Sequence, residues 1–216
     1  MSEEFIINTA PSTIIKSGDP YDHLNAIEWV DKQIEYGSQE HTISGKGLVL
    51  HLKELGNSLI GCEIGVCHGF TTEYFLRNLP NISKIFAVDS YPSFVDWDGT
   101  RLTQERQEET KQRCIERLSK FEDRVSFVFE SSATFSQKLK DESLDFIFID
   151  GDHSYEATLK DCESYWSKVK FGGIFAGHDI NLPSVHKAVD DFISSMERDD
   201  LKLNFVENNA WFLIRK

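Results

Sequence analysis

The chain lacks any apolar run near the roughly 20 residues that a membrane span needs. Its first residues, MSEEFIINTAPS, have neither the basic start nor the apolar stretch of a secretory signal, so a cytoplasmic location is expected. Basic charge is also scarce. With 23 Lys and Arg against 36 Asp and Glu, the net charge is −13. Phosphate backbones and anionic membranes call for a basic face, so neither nucleic acid nor a membrane surface is expected as a partner. Cysteine is sparse, and the four at 62, 67, 114 and 162 follow no zinc spacing and no disulfide framework. Cys62 and Cys162 sit in apolar patterns and read as buried thiols. There is no internal repeat, no low-complexity segment and no Gly-x-Gly-x-x-Gly turn of the dinucleotide binders.

What is present is a chain of 216 residues, enough for one domain with a sizeable core, at 40% hydrophobic and 27% charged residues. Residues 1–20, with Pro11, Gly18 and Pro20, read as loosely structured. Leu24, Ile27, Val30 and Ile34 then share a helical face, and Leu48, Leu52 and Leu55 share another. These two helices predict an N-terminal extension over 1–58, serving as a cap or as the surface of a homodimer. From residue 59 the pattern alternates. Strands are predicted at 59–64, 84–88, 124–129, 144–149, 172–177, 202–207 and 210–215. Helices are predicted at 71–79, 102–120, 133–140, 155–169 and 184–198. Such alternation implies an α/β sandwich, a mostly parallel sheet with helices on both faces. Glu207-Asn208-Asn209 is a turn, so the last two strands should run antiparallel to each other.

Ligands of open α/β sheets sit beyond the carboxyl ends of the strands. Here the bodies of the first five strands are apolar, and each of their ends carries a polar or acidic group. The first strand runs into Glu63-Ile64-Gly65-Val66-Cys67-His68-Gly69, where the glycines allow a sharp turn and a helix begins. Glu63, read as part of that turn, can accept hydrogen bonds from a ligand. Asp89 ends the second strand, 26 residues later, placed for ribose hydroxyls. Tyr91, Phe94 and Trp97 follow, either lining a pocket or packing their own loop. Asp150-Gly151-Asp152-His153 ends the fourth strand, and His178-Asp179 the fifth. Adjacent strands lie about 4.8 Å apart, so these groups can converge. Carboxylates of this kind suit a hard cation. Imidazole beside them suits a general base. The plainer account is that Asp150 and Asp152 cap the helix that begins near Tyr155. His23, His41 and His51 read as surface or packing residues, and His186 as exposed. His68 reads as touching a ligand through its backbone.

Taken together, these motifs resemble the class I S-adenosylmethionine-dependent methyltransferases over residues 59–215. Glu63-Ile64-Gly65 to Gly69 resembles that family's first motif, with Cys67 where the commonest form has glycine. Phe148-Ile149-Asp150-Gly151-Asp152-His153-Ser154-Tyr155-Glu156, with Gly172-Gly173 and Gly177-His178-Asp179, is similar to the macrocin-type sugar O-methyltransferases and the relatives of cephalosporin hydroxylase. The resemblance implies a Rossmann-like seven-stranded sheet with the last strand antiparallel, in a catalytic domain over 59–216. It implies S-adenosylmethionine held by Glu63, Gly65, Val66, Gly69, Thr71, Asp89, Ser90, Ser132 and Asp150. Ser131-Ser132 matches the segment against the adenine. It also implies a divalent metal, Mg2+, at Asp150, His178 and Asp179, where His178 departs from the usual acidic pair. His153 is the first choice for the base that would deprotonate a small-molecule hydroxyl, and Asp152 the second. A different enzyme class, or a cofactor-binding module without methyl transfer, remains open on the same scaffold.

Overall fold

The computed structural model describes residues 24–95 and 99–216; His23, Trp97 and the expectation for residues 1–20 lie outside them. Helix α1 (Ala26–Gly37) opens on a capping box, in which Asn25 accepts from the Glu28 N–H and the Glu28 carboxylate accepts from the Asn25 N–H. The short helix α2 (Val49–Lys53) leads into β1 (Leu59–Ile64). There follow α3 (Phe70–Asn78), β2 (Ile82–Val88), a hairpin of β3 (Phe94–Val95) and β4 (Arg101–Leu102), and α4 (Gln104–Leu118). The chain goes on through β5 (Val125–Val128), α5 (Ser132–Ser136), β6 (Leu144–Ile149) and α6 (Tyr155–Tyr165). It closes with β7 (Val169–Gly177), α7 (Pro183–Ser195), β8 (Asn204–Val206) and β9 (Ala210–Ile214).

Seven strands form one sheet in the order β5-β2-β1-β6-β7-β9-β8. The first five are parallel. The last strand, β9, runs antiparallel to β7 on one side and to β8 on the other. This bears out the expected fold. The strand order reverses between β1 and β6, and in open α/β sheets the carboxyl ends at such a switch are where the ligand crevice lies.

Alternation along the strands feeds two cores. Leu59, Phe146 and Phe148 face one buried cluster with Leu52, Phe75 and Leu118. Cys62, Ile64, Ile147 and Ile149 face the other, with Cys162, Val189 and Phe192. Each fully buried Phe contributes roughly 1.5–3 kcal/mol. Cys62 and Cys162 are buried thiols, as expected.

Three expectations are corrected, and one feature is new. The buried face of α1 is Ala26, Trp29 and Val30, while Ile27 is 53% exposed. The helix packs on α4 rather than on the sheet, and Trp29 turns inward under the Arg106 guanidinium, 5.1 Å from its ring. The helix expected over 133–140 is one short turn and a half, because Ser131 caps it and the chain leaves after Ser136. The helix expected over 155–169 ends at Tyr165, and Val169 opens β7, buried as a strand residue. The β3–β4 hairpin was not expected, since two-residue strands carry no period.

Leu48, Val49 and Leu52 lie in the same cluster as the sheet residues, so α2 is part of the core of the domain.

Candidate active site

Glu63 lies within β1 rather than in the turn, one residue before its end, on the face towards α3. Its buried carboxylate accepts the Thr72 hydroxyl hydrogen from the first turn of α3. Burial raises the pKa of Glu63 well above the carboxylate range; the Thr72 bond opposes this, and the charges of Asp150 and Asp89 add to it.

The turn between β1 and α3 is built on left-handed backbone. Gly65 has φ +82° and Gly69 φ +78°, and Cys67 shares this region at φ +49°. Cys67 thus takes the conformation that the glycine of the commoner motif takes without strain. A β-carbon on Gly65 would fall 2.1 Å from the Asp150 carbonyl oxygen, so glycine lets the ends of β1 and β6 meet. Asp89 brackets this turn: one carboxylate oxygen accepts the Cys67 N–H at 2.9 Å and the other the Tyr91 N–H at 2.8 Å. Burial raises the pKa of Asp89, against those two bonds. Tyr91 is buried and donates its hydroxyl to the Cys67 carbonyl at 2.7 Å, so it packs the loop. Phe94 is 47% exposed on the hairpin beyond it. Val66 and Thr71 are buried, while Ser90 is exposed. The His68 ring is buried, and its carbonyl accepts from Arg117 at 3.0 Å. Burial and the Arg117 charge bring its pKa down to about 4.

On the other side of the switch, the register sets Ile149 of β6 opposite Gly177 of β7. The residues that follow therefore stand together. The His178 Nδ1 lies 3.3 Å from Asp150 and 3.1 Å from Asp179, and the His153 Nδ1 lies 3.0 Å from Asp179. Burial alone would lower the His178 pKa, but its bonds to the two carboxylates push it up to about 10. Burial would raise the Asp179 pKa, yet the two imidazoles hold it well below the carboxylate range. Ser184 donates to the His153 carbonyl at 2.7 Å and pins the loop to α7.

Asp152 is exposed and accepts the Ser154 N–H at 2.8 Å, while Ser154 itself caps α6. Donor atoms of Asp150, His153 and Asp179 lie within 4.8 Å of one another, a carboxylate and imidazole set that fits a divalent cation. His178 stands against the same two carboxylates.

Ser132 follows the cap of α5. Its hydroxyl donates to Asp161 at 2.6 Å, and its carbonyl accepts the Tyr165 hydroxyl at 2.7 Å. Sequence reasoning missed Thr72 and Asp161. The signal for Asp161 was an acid inside the buried face Thr158, Asp161, Cys162 and Tyr165 of α6. His51 packs on Phe212, with ring centroids 4.6 Å apart, and His41 and His186 are exposed.

A family model described as a methyltransferase domain matches residues 62–180, more than half of the chain. The chain belongs to that family. It is a methyltransferase domain, and the matched span runs from β1 to the residues just after β7. No curated protein matches the methyltransferase by sequence. Its fold is similar to that of a candidate S-adenosyl-L-methionine-dependent methyltransferase from Methanococcus maripaludis, at a TM-score of 0.60 and 11% identity over 93% of this chain and 96% of that one. It is also similar to a candidate O-methyltransferase from Klebsiella pneumoniae, at 0.59 and 15% identity over 94% and 93% of the two chains. A third is a candidate caffeoyl-CoA O-methyltransferase from Staphylococcus aureus, at 0.57 and 17% identity over 91% and 95%. At these identities the likeness is one of fold. Among the described residues, no helix is long and apolar enough to cross a membrane.

Proposed function

We propose that this methyltransferase moves the S-adenosylmethionine methyl group to a hydroxyl oxygen of a small molecule, with His153 as the base. The observation that carries this reading is the His153 Nδ1–Asp179 contact of 3.0 Å at the β6–β7 end of the crevice. A neutral imidazole that donates Nδ1–H to a carboxylate bears its basic lone pair on Nε2. Asp179 orients the ring and stabilises the imidazolium that forms. The new oxygen–methyl bond forms as the sulfur–methyl bond breaks; the hydroxyl proton passes to His153, and the cofactor leaves as the neutral thioether. The sulfonium is already electrophilic, so the protein's task is to align and desolvate the acceptor. Glu63 and Asp89 hold the methionine and ribose parts, and Ser132 flanks the adenine.

Asp152 is the weaker choice of base, since its carboxylate is exposed and engaged with the loop backbone. A sugar, phenol or natural-product hydroxyl fits the acceptor class. Two similar folds belong to candidate O-methyltransferases, which supports oxygen as the acceptor atom. When bound, Mg2+ held by the Asp150 and Asp179 carboxylates would supply a positive charge for the acceptor oxygen and leave the His153 Nε2 free as the base.

The test is a turnover screen over hydroxyl acceptors, run with wild type, His153→Gln and Asp152→Asn. The His153 variant is expected to lose about 10²–10⁴-fold in kcat, and the Asp152 variant far less. Full turnover by His153→Gln contradicts the reading.

A further inference from the structure

Asp161 is a buried carboxylate, 6% exposed, that takes no part in the chemistry above. It lies on α6 one turn before Tyr165, and both reach the same residue of another element. Asp161 accepts the Ser132 hydroxyl at 2.6 Å, and the Tyr165 hydroxyl donates to the Ser132 carbonyl at 2.7 Å. The start of α5 is therefore held to α6 through both side chain and backbone. The other Asp161 oxygen faces the loop after β6: a β-carbon on Gly151 would lie 3.9 Å from it and 3.5 Å from Ile64. That loop, 150–153, continues directly into α6. One carboxylate thus sits between the loop after β6 and the head of α5.

We propose that Asp161 is a positioning residue for the cofactor: through Ser132 it locks the head of α5 to the Asp150–His153 loop, so that both flanks of the crevice present a single fixed surface to S-adenosylmethionine. This rests on the methyltransferase reading of the crevice. Burying a carboxylate is costly. Here burial, with the nearby Asp152 charge and against the Ser132 bond, brings the Asp161 pKa up to about 6. Ser132 needs an acceptor oxygen at this place, not a charge. An asparagine supplies the same oxygen, which makes Asp161→Asn the rescuing variant and Asp161→Ala the breaking one.

The experiment titrates wild type, Asp161→Ala, Asp161→Asn, Ser132→Ala and the Asp161→Ala/Ser132→Ala double variant with S-adenosylmethionine by calorimetry. Steady-state kinetics follow for the Asp161 variants. Each alanine variant is expected to raise the cofactor Kd about tenfold, the worth of one hydrogen bond. The double variant should bind no more weakly than either single one. Asp161→Asn should bind within about twofold of wild type. In Asp161→Ala the KM for the cofactor should rise while kcat at saturation holds. Unchanged cofactor affinity in the alanine variants, with only the melting temperature lowered, overturns the proposal. So does a fully additive double variant. If Asp161→Ala does not fold, Ser132→Ala and Asp161→Asn decide by the same criteria. A wild-type protein that fails to bind S-adenosylmethionine instead refutes the reading beneath the proposal, an outcome seen before any variant is made.

Discussion

The His178 imidazole stands 3.3 Å from the Asp150 carboxylate, each on the residue that follows a paired strand end. Asp179 completes a three-membered charge cluster with them. His178 is held protonated between two carboxylates, so its removal leaves like charges facing each other.

His178→Ala should therefore lower stability by about 3 kcal/mol at neutral pH. The folded pKa, about 10, exceeds the ordinary 6.5. Its contribution is then complete below about 6.5 and is lost as pH rises towards about 10. Urea unfolding in chelator across that window checks this. Wild type and variant should converge at the alkaline end, and a constant gap contradicts the account.

Glu63 and Asp89 have raised pKa values, burial being the main cause in both. A sulfonium cation beside them favours their ionised forms. Cofactor binding should release protons, and affinity should increase with pH through the raised pKa range. Thr72→Val removes the hydroxyl that favours the Glu63 carboxylate and should move the profile to higher pH. Calorimetry in two buffers of different ionisation enthalpy reads the released protons directly. Buffer-independent heats contradict the prediction.

Gly65 and Gly99 both have positive φ, at +82° and +87°. A β-carbon on Gly65 strikes the Asp150 carbonyl, whereas one on Gly99 meets none of the described residues within 4 Å. Gly65→Ala should cost about 3 kcal/mol or more, from strain plus overlap. Gly99→Ala should cost about 1 kcal/mol, from backbone strain alone. Equal melting temperatures would show that the approach of β1 to β6 is not what requires glycine.

Arg124 donates to the carbonyls of Leu76 and Leu79 at the end of α3, and to that of Ile82 at the start of β2, at 3.0, 2.8 and 2.9 Å. It closes a helix end whose carbonyls have no intrahelical donor. Arg124→Ala should destabilise the fold by about 2–3 kcal/mol, with little effect on cofactor affinity. Urea midpoints and the cofactor Kd, measured together, separate the two effects.

The sheet was legible because each strand is an apolar run ending on a polar group, and those endings mark the crevice. Glu63, Asp89, Asp150, His153, His178 and Asp179 were all found in this way, and the structure gathers them at the carboxyl ends of β1, β2, β6 and β7. Partnerships between elements were not legible. The pairing of His153 with Asp179 follows from strand order, and the burial of Asp161 from the seating of α6 on α5. Trp29 was overlooked because the apolar face of α1 was read through Leu24, Ile27, Val30 and Ile34, while the face that meets α4 is Ala26, Trp29 and Val30. Cys67 carried its signal in the motif: a residue in glycine's place takes glycine's backbone angles.

The most direct test of the central claim is a calorimetric titration of the purified protein with S-adenosylmethionine, with NAD as the comparison. Saturable one-to-one binding of S-adenosylmethionine, abolished in Asp89→Ala and absent with NAD, is the predicted result. No heat with S-adenosylmethionine, or binding indifferent to Asp89, would contradict it.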